Sequence, residues 1–174
     1  KNAILAVVVA CIFMLFYIWF RFKDLRLAGS SIVALVHDVL VMLTAYALIR
    51  ISVGNTFIAC MLTIVGYSIN DTIVIFDRIR ENMHGVKKQT PESLAEVANK
   101  SLTQTLSRSI NTSLTTIVMV LLLFIMGVSS IREFALPLIV GMVSGTYSSI
   151  FIAASLWYTM KLHLGKDRLA KKNK

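Results

Sequence analysis

Three charged residues stand where charge is costly: Asp38, Asp71 and Arg108 fall in or beside long apolar runs. On insertion scales an ionisable side chain at the centre of a membrane helix costs about 2.5–3.5 kcal/mol, and such groups face a bundle interior or a wet cavity. The chemistry open to them there is the uptake and release of a proton or another ion. Helical spacing extends two of the three into polar stripes. Tyr67, Ser68 and Asp71 are related by steps of three and four, so they share one face, with Asn70 and Thr72 beside them. Gln104, Arg108, Asn111, Thr112 and Thr115 make a second stripe.

Depth can be compared from helix rise. Asp71 lies five residues inside Phe76, roughly 8 Å into the bilayer, and Arg108 lies six residues beyond Leu102, about 9 Å. Equal depth allows the two to meet and neutralise one another. Asp38 is deeper, eleven residues from both Leu27 and Ile49 and so near the midplane. Its neighbour His37 points about 100° away on a helix and need not pair with it. A buried acid and base can also hold helices together with no transport at all. Asp77, Arg78, Arg80 and Glu81 belong to the membrane edge, where the arginines snorkel.

These residues must be carried by membrane helices. The chain has 174 residues, 56% of them apolar and 16% charged. Soluble domains carry about a quarter charged residues. The fold class is therefore all-α, a polytopic bundle of five spans: about 3–20, 27–49, 57–76, 110–128 and 134–160. The linkers 50–56 and 129–133 are short and join antiparallel neighbours. Between the third and fourth spans, Thr90-Pro91-Glu92 reads as a helix cap, a proline at the first position and an acid in the first turn. Leu94, Val97, Ala98 and Leu102 then fall on one face, so a separate amphipathic helix is expected over about 91–106, lying on the membrane or docking a partner. In the last span Gly141 and Gly145 form a GxxxG packing signal. Pro137 is expected to bend that helix or start it.

Lysine and arginine distribution sets the orientation. The segments 21–26, 78–108 and 161–174 hold fifteen of the eighteen, and Lys1, Arg50 and Arg132 are the rest. The basic side is expected to be cytoplasmic, with the C-terminus inside and Lys1 outside. A start at Lys1, outside and directly at a span, is expected to reflect a fragment of a longer protein. The tail after residue 160 is basic and expected to be disordered or surface-bound. The net charge of +9 is read as this topology signal, with no nucleic acid as partner. Cys11 and Cys60 are packing residues in apolar runs. His37, His84 and His163 have no metal spacing, so no metal or other cofactor is expected. Asn70, Asn99 and Asn111 match the glycosylation pattern but lie in spans or on the cytoplasmic side.

The stretch Gly66-Tyr67-Ser68-Ile69-Asn70-Asp71-Thr72, running into Phe76-Asp77-Arg78-Ile79-Arg80-Glu81-Asn82, closely resembles the signature of the SecF family. The Ala34–Asp38, Ser101–Leu114 and Phe134–Ser149 stretches are similar to it as well. The likeness extends over nearly all of 1–160. It implies half of a pseudosymmetric twelve-helix bundle shared with SecD and akin to the RND transporters. Family members have six spans with a large external domain after the first, so the resemblance places the start of this chain at the second span. It implies an auxiliary role in the bacterial protein-export machinery of the cytoplasmic membrane, beside SecD and the SecYEG translocon. There the proton-motive force draws preproteins outward. Carried over by motif, Asp71 and Arg108 resemble members of a proton-relay group, with Asp38 a lesser candidate and Tyr67, Ser68, Asn70 and Thr112 in support. Lacking an external domain, the chain is not expected to move protein by itself.

Two other readings remain open at this stage: an RND-type exporter of small molecules or lipids, and a non-conducting scaffold for translocon components. No nucleophile–base pair, phosphate loop or metal spacing points to an enzyme.

Overall fold

Helices account for nearly everything the computed structural model describes, which is residues 2–22, 24–50, 54–86 and 90–172. They are α1 (Asn2–Phe22), α2 (Leu25–Ile49), α3 (Asn55–Met83), α4 (Pro91–Met126), α5 (Ser129–Tyr147), a π-helical turn (Ser148–Ala153) and α6 (Ala154–Lys172). Among the described residues, four stretches are long and apolar enough to cross a membrane: Leu25–Ile49, Thr56–Met83, Pro91–Met126 and Ser129–His163. A shorter apolar stretch, Ile12–Phe22, lies in α1.

Several boundaries differ from those expected. The amphipathic helix and the fourth span are one uninterrupted helix, α4. No proline or glycine between 92 and 126 interrupts its ladder, and its Ser and Thr hydroxyls bond back to carbonyls one turn earlier, as Ser113 does to Ser109 at 2.8 Å. Its start is fixed by Thr90, whose Oγ1 accepts from the Ser93 amide at 3.2 Å while Ser93 Oγ accepts from the Thr90 amide at 2.9 Å. The stretch expected to link the last two spans forms the opening turns of α5, leaving Gly127 and Val128 as the connection. Pro137 therefore does not start that helix; it is buried inside it. The basic tail is helical in its described part, continuing α6 to Lys172. Cys11 has no described side chain, and residues 173 and 174 lie outside the described residues.

Helix α5 is central, packing on α2, α3 and α4. Its glycines permit the approach. A Cβ on Gly141 would overlap the Ile64 side chain, and one on Gly145 would come within 3.1 Å of Ser68 Cβ. The interior divides into two apolar clusters. One joins Ile18, Phe22, Leu35, Phe76 and Trp157 near the basic end. The other joins Met42, Tyr46, Cys60, Ile64 and Met142 near the opposite end. Between them lies a layer of buried polar side chains.

Candidate coupling site

Asp38 occupies the centre of that layer. It follows three small buried residues of α2, Ser30, Ser31 and Ala34, and is fully buried. Ser68 of α3 donates to its Oδ2 at 2.6 Å, and Ser148 of the π-helical turn donates to the same oxygen at 2.7 Å. Ser144 of α5 donates to Oδ1 at 2.9 Å. His37 Nδ1 lies 3.2 Å from Oδ1, so the adjacent pair does meet. Neighbouring side chains diverge at Cβ, but here the ring turns back toward the carboxyl group. Four segments of the chain thus converge on one carboxyl group, to which three serine hydroxyls donate. Such a cage offsets much of the desolvation that an isolated buried charge would suffer.

Ser144 and Ser148 stand one turn apart where α5 runs into the π-helical turn, so both reach Asp38, and Ser149 beside them is buried as well. Ser149 donates to the Ser68 carbonyl at 3.2 Å and shares a 2.9 Å hydrogen bond with Thr72. Ser113 of α4 and Thr146 of α5 share another at 2.7 Å. Side-chain hydrogen bonds thus join α2 to α3, α5 and the π-helical turn, and a separate hydroxyl pair joins α4 to α5.

Asp71 is in a different situation. It is 4% exposed and its Oδ2 has no hydrogen-bond partner among the described residues. Helix α4, which carries Arg108 and Ser109, packs against α3 to form the α3–α4 seam. Ser109 Oγ is buried and also without a partner. An unsatisfied buried polar atom costs about 1–3 kcal/mol and calls for an explanation. Asp71 and Arg108 form no ion pair, and Arg108 is exposed. The similar depth inferred from helix rise does not make them an ion pair: Asp71 is buried and Arg108 exposed.

The polar stripe of α4 lies elsewhere than expected. Gln104, Arg108, Asn111 and Thr115 are exposed and Thr112 half-buried, its hydroxyl donating to the Arg108 carbonyl at 2.8 Å. The inward stripe is Ser101, Thr105, Ser109 and Ser113, repeating every fourth residue. Asn70 of α3 is exposed as well, and Tyr67 is half-buried with an unpartnered hydroxyl. Sequence reasoning missed Ser109, Ser113, Ser144, Ser148 and Ser149. Their signal was the i, i+4 recurrence of small hydroxyl residues, which is weak because serine also serves as a neutral packing residue between membrane helices.

A family model described as protein export membrane protein SecD/SecF, C-terminal, matches residues 1–163. The protein translocase subunit SecF of Alicyclobacillus acidocaldarius is 52% identical over 157 residues, 90% of this chain and 51% of that protein. The protein translocase subunit SecDF of Bacillus subtilis is 45% identical over 161 residues, 92% of this chain and 22% of that one. A crystal structure of SecDF from Thermus thermophilus, a translocon-associated membrane protein, aligns with a TM-score of 0.83 at 42% identity, over all of this chain and 22% of that one. The chain thus spans about half the length of its SecF relative and under a quarter of the SecDF chains.

Proposed function

Because this chain belongs to the SecD/SecF family of protein export membrane proteins, we propose that it is the membrane portion of an auxiliary protein-export subunit that couples translocation to the proton-motive force. The family match over residues 1–163 supports the export role. The observation that carries the coupling role is Asp71: a buried carboxyl group at an interhelical seam with one oxygen unpartnered. In a membrane interior such a group takes up a proton readily when a path opens, because neutralisation removes the desolvation cost. Arg108 and Asn70 lie on the outer surface of the same two helices. Lipid is a poor neighbour for a guanidinium at this depth. We assign this face to the SecD half-bundle, whose side chains would complete the relay around Asp71 and Arg108. Tyr67 and Thr112 border the same seam in supporting positions.

Asp38 is the second coupling residue in this reading. Its four partners come from α2, α3, α5 and the π-helical turn, so a change in its charge would be felt by all of them at once. Orientation follows from the basic segments, with the C-terminus in the cytoplasm. The preprotein and the SecYEG channel are the remaining partners, and the force reaches them through parts of the protein outside this chain.

The scaffold reading has one observation in its favour, the Asp38 cage itself, since such a network also ties helices together. The two separate in one experiment. Asp71→Asn and Arg108→Met are introduced into the full-length protein, assembly with SecD is checked, and export is measured with and without a proton gradient. Loss of the gradient-dependent increment with assembly intact is the expected result. Retention of that increment in both variants overturns the relay, and failure to assemble favours the scaffold.

A further inference from the structure

At the basic end of the bundle, α1, α2, α3 and α6 leave a crevice of about 210 Å³ that the coupling site does not use. Phe22, Leu27, Ile79 and Met83 give it an apolar floor. Arg80, Lys161, His84 and the acidic Asp24 are its polar lining.

The charges around it do not cancel. Asp77 pairs with Arg21, and Glu81 pairs with Arg78. Asp24 is 3.9 Å from Lys161, at the outer limit of an ion pair. Arg80 has no carboxylate partner among the described residues; its Nη1 donates only to the Arg21 carbonyl, at 3.4 Å. A guanidinium therefore stands unneutralised over an apolar floor at the membrane edge.

A second observation comes from the wall. Trp157 is 1% exposed, and its Nε1–H is buried with no hydrogen-bond partner among the described residues. Lys161 Nζ lies 5.9 Å from the centre of the same ring. Indole N–H groups in buried positions ordinarily find an acceptor. Arg80, Lys161 and a neutral donor outnumber the single carboxyl group of the crevice, that of Asp24, and this excess of positive charge calls for an anionic oxygen-rich ligand. Nearby, Phe16, Trp19 and Phe20 of α1 present exposed aromatic rings of the kind that settle at a bilayer interface.

We propose that this crevice binds the phosphate headgroup of an anionic phospholipid, held by Arg80 and Lys161, with Trp157 as an added donor and the acyl chains lying along α1. Basic pockets between membrane helices bind anionic headgroups by this chemistry. Arg80 supplies the forked geometry suited to a phosphate. The occupant is a lipid because the floor is apolar and α1, which contributes Phe22 to it, exposes Phe16, Trp19 and Phe20. Free phosphate would leave that floor empty.

The test is native mass spectrometry of the full-length protein in detergent, given phosphatidylglycerol or phosphatidylethanolamine at equal concentration. The wild type should retain at least threefold more phosphatidylglycerol. Arg80→Gln with Lys161→Gln should bring retention down to the phosphatidylethanolamine level, and Trp157→Phe should lower it partway. Arg80 is exposed, so Arg80→Gln alone carries the test if the double variant does not fold. Equal retention of the two lipids by the wild type, or unchanged preference in Arg80→Gln, overturns the proposal. Complete displacement of the lipid by millimolar inorganic phosphate overturns the lipid assignment and leaves a phosphate site.

Discussion

Ser148 donates a 2.7 Å hydrogen bond to the carboxyl group of Asp38, across 110 residues of sequence. The bond joins a π-helical turn to the middle of α2, at the depth where the two apolar clusters meet. Asp38 and Ser148 are both fully buried, so neither can exchange this contact for water.

Asp38→Asn keeps the side-chain volume but turns one acceptor oxygen into a donor facing two hydroxyls. It should destabilise the bundle by about 1–3 kcal/mol. Ser148→Ala should cost about 1 kcal/mol, because hydrogen bonds between membrane helices are worth less than their geometry suggests. Denaturation in mixed micelles measures both. A double-mutant cycle should show coupling above about 0.5 kcal/mol, and strict additivity would mean that the bond does not contribute.

Gly141 meets Ile64 so closely that any side chain must displace it. Gly141→Ala should cost about 1–3 kcal/mol through overpacking, and more than Gly145→Ala, where the Ser68 Cβ contact is 3.1 Å. Ile64→Val in the Gly141→Ala background should recover part of the loss. Thermal unfolding in detergent gives the ranking, and equal costs at the two glycines would contradict it.

Asp71 has no hydrogen bond at Oδ2 to lose. Asp71→Asn should therefore change stability by under about 1 kcal/mol, while abolishing the gradient-dependent part of export. A large stability loss in the same denaturation assay would mean that Asp71 is a structural residue.

Thr90 begins α4 through a reciprocal pair with Ser93. Thr90→Ala should fray the first turn at a cost of about 1 kcal/mol. Hydrogen exchange should quicken at the amides just after Pro91 and stay unchanged near Ser113.

Much of the fold was legible because a bilayer restricts what a chain can do. A span must be apolar, about twenty residues long and helical, so composition alone exposes it. The continuity of α4 was less legible. Its polar first half and apolar second half look like separate elements, yet the backbone ladder does not register that change of surroundings. Asp38 stood out as a charge near the midplane, but its cage did not, because Ser68, Ser144 and Ser148 reach it from segments 30 to 110 residues away. No local period reports such contacts.

The sequence by itself determined that this chain is a helical membrane bundle with costly charges at particular depths, and its motifs carried the family. Periodicity could offer two polar stripes on α4, one through Arg108 and one through Ser109, without ranking them. Only the packing of α3 and α5 turned Ser109 inward and left Arg108 on the surface. Helical spacing defines faces, whereas the direction a face takes depends on which helices lie against it, and here close contact at Gly141 and Gly145 draws α5 onto α3.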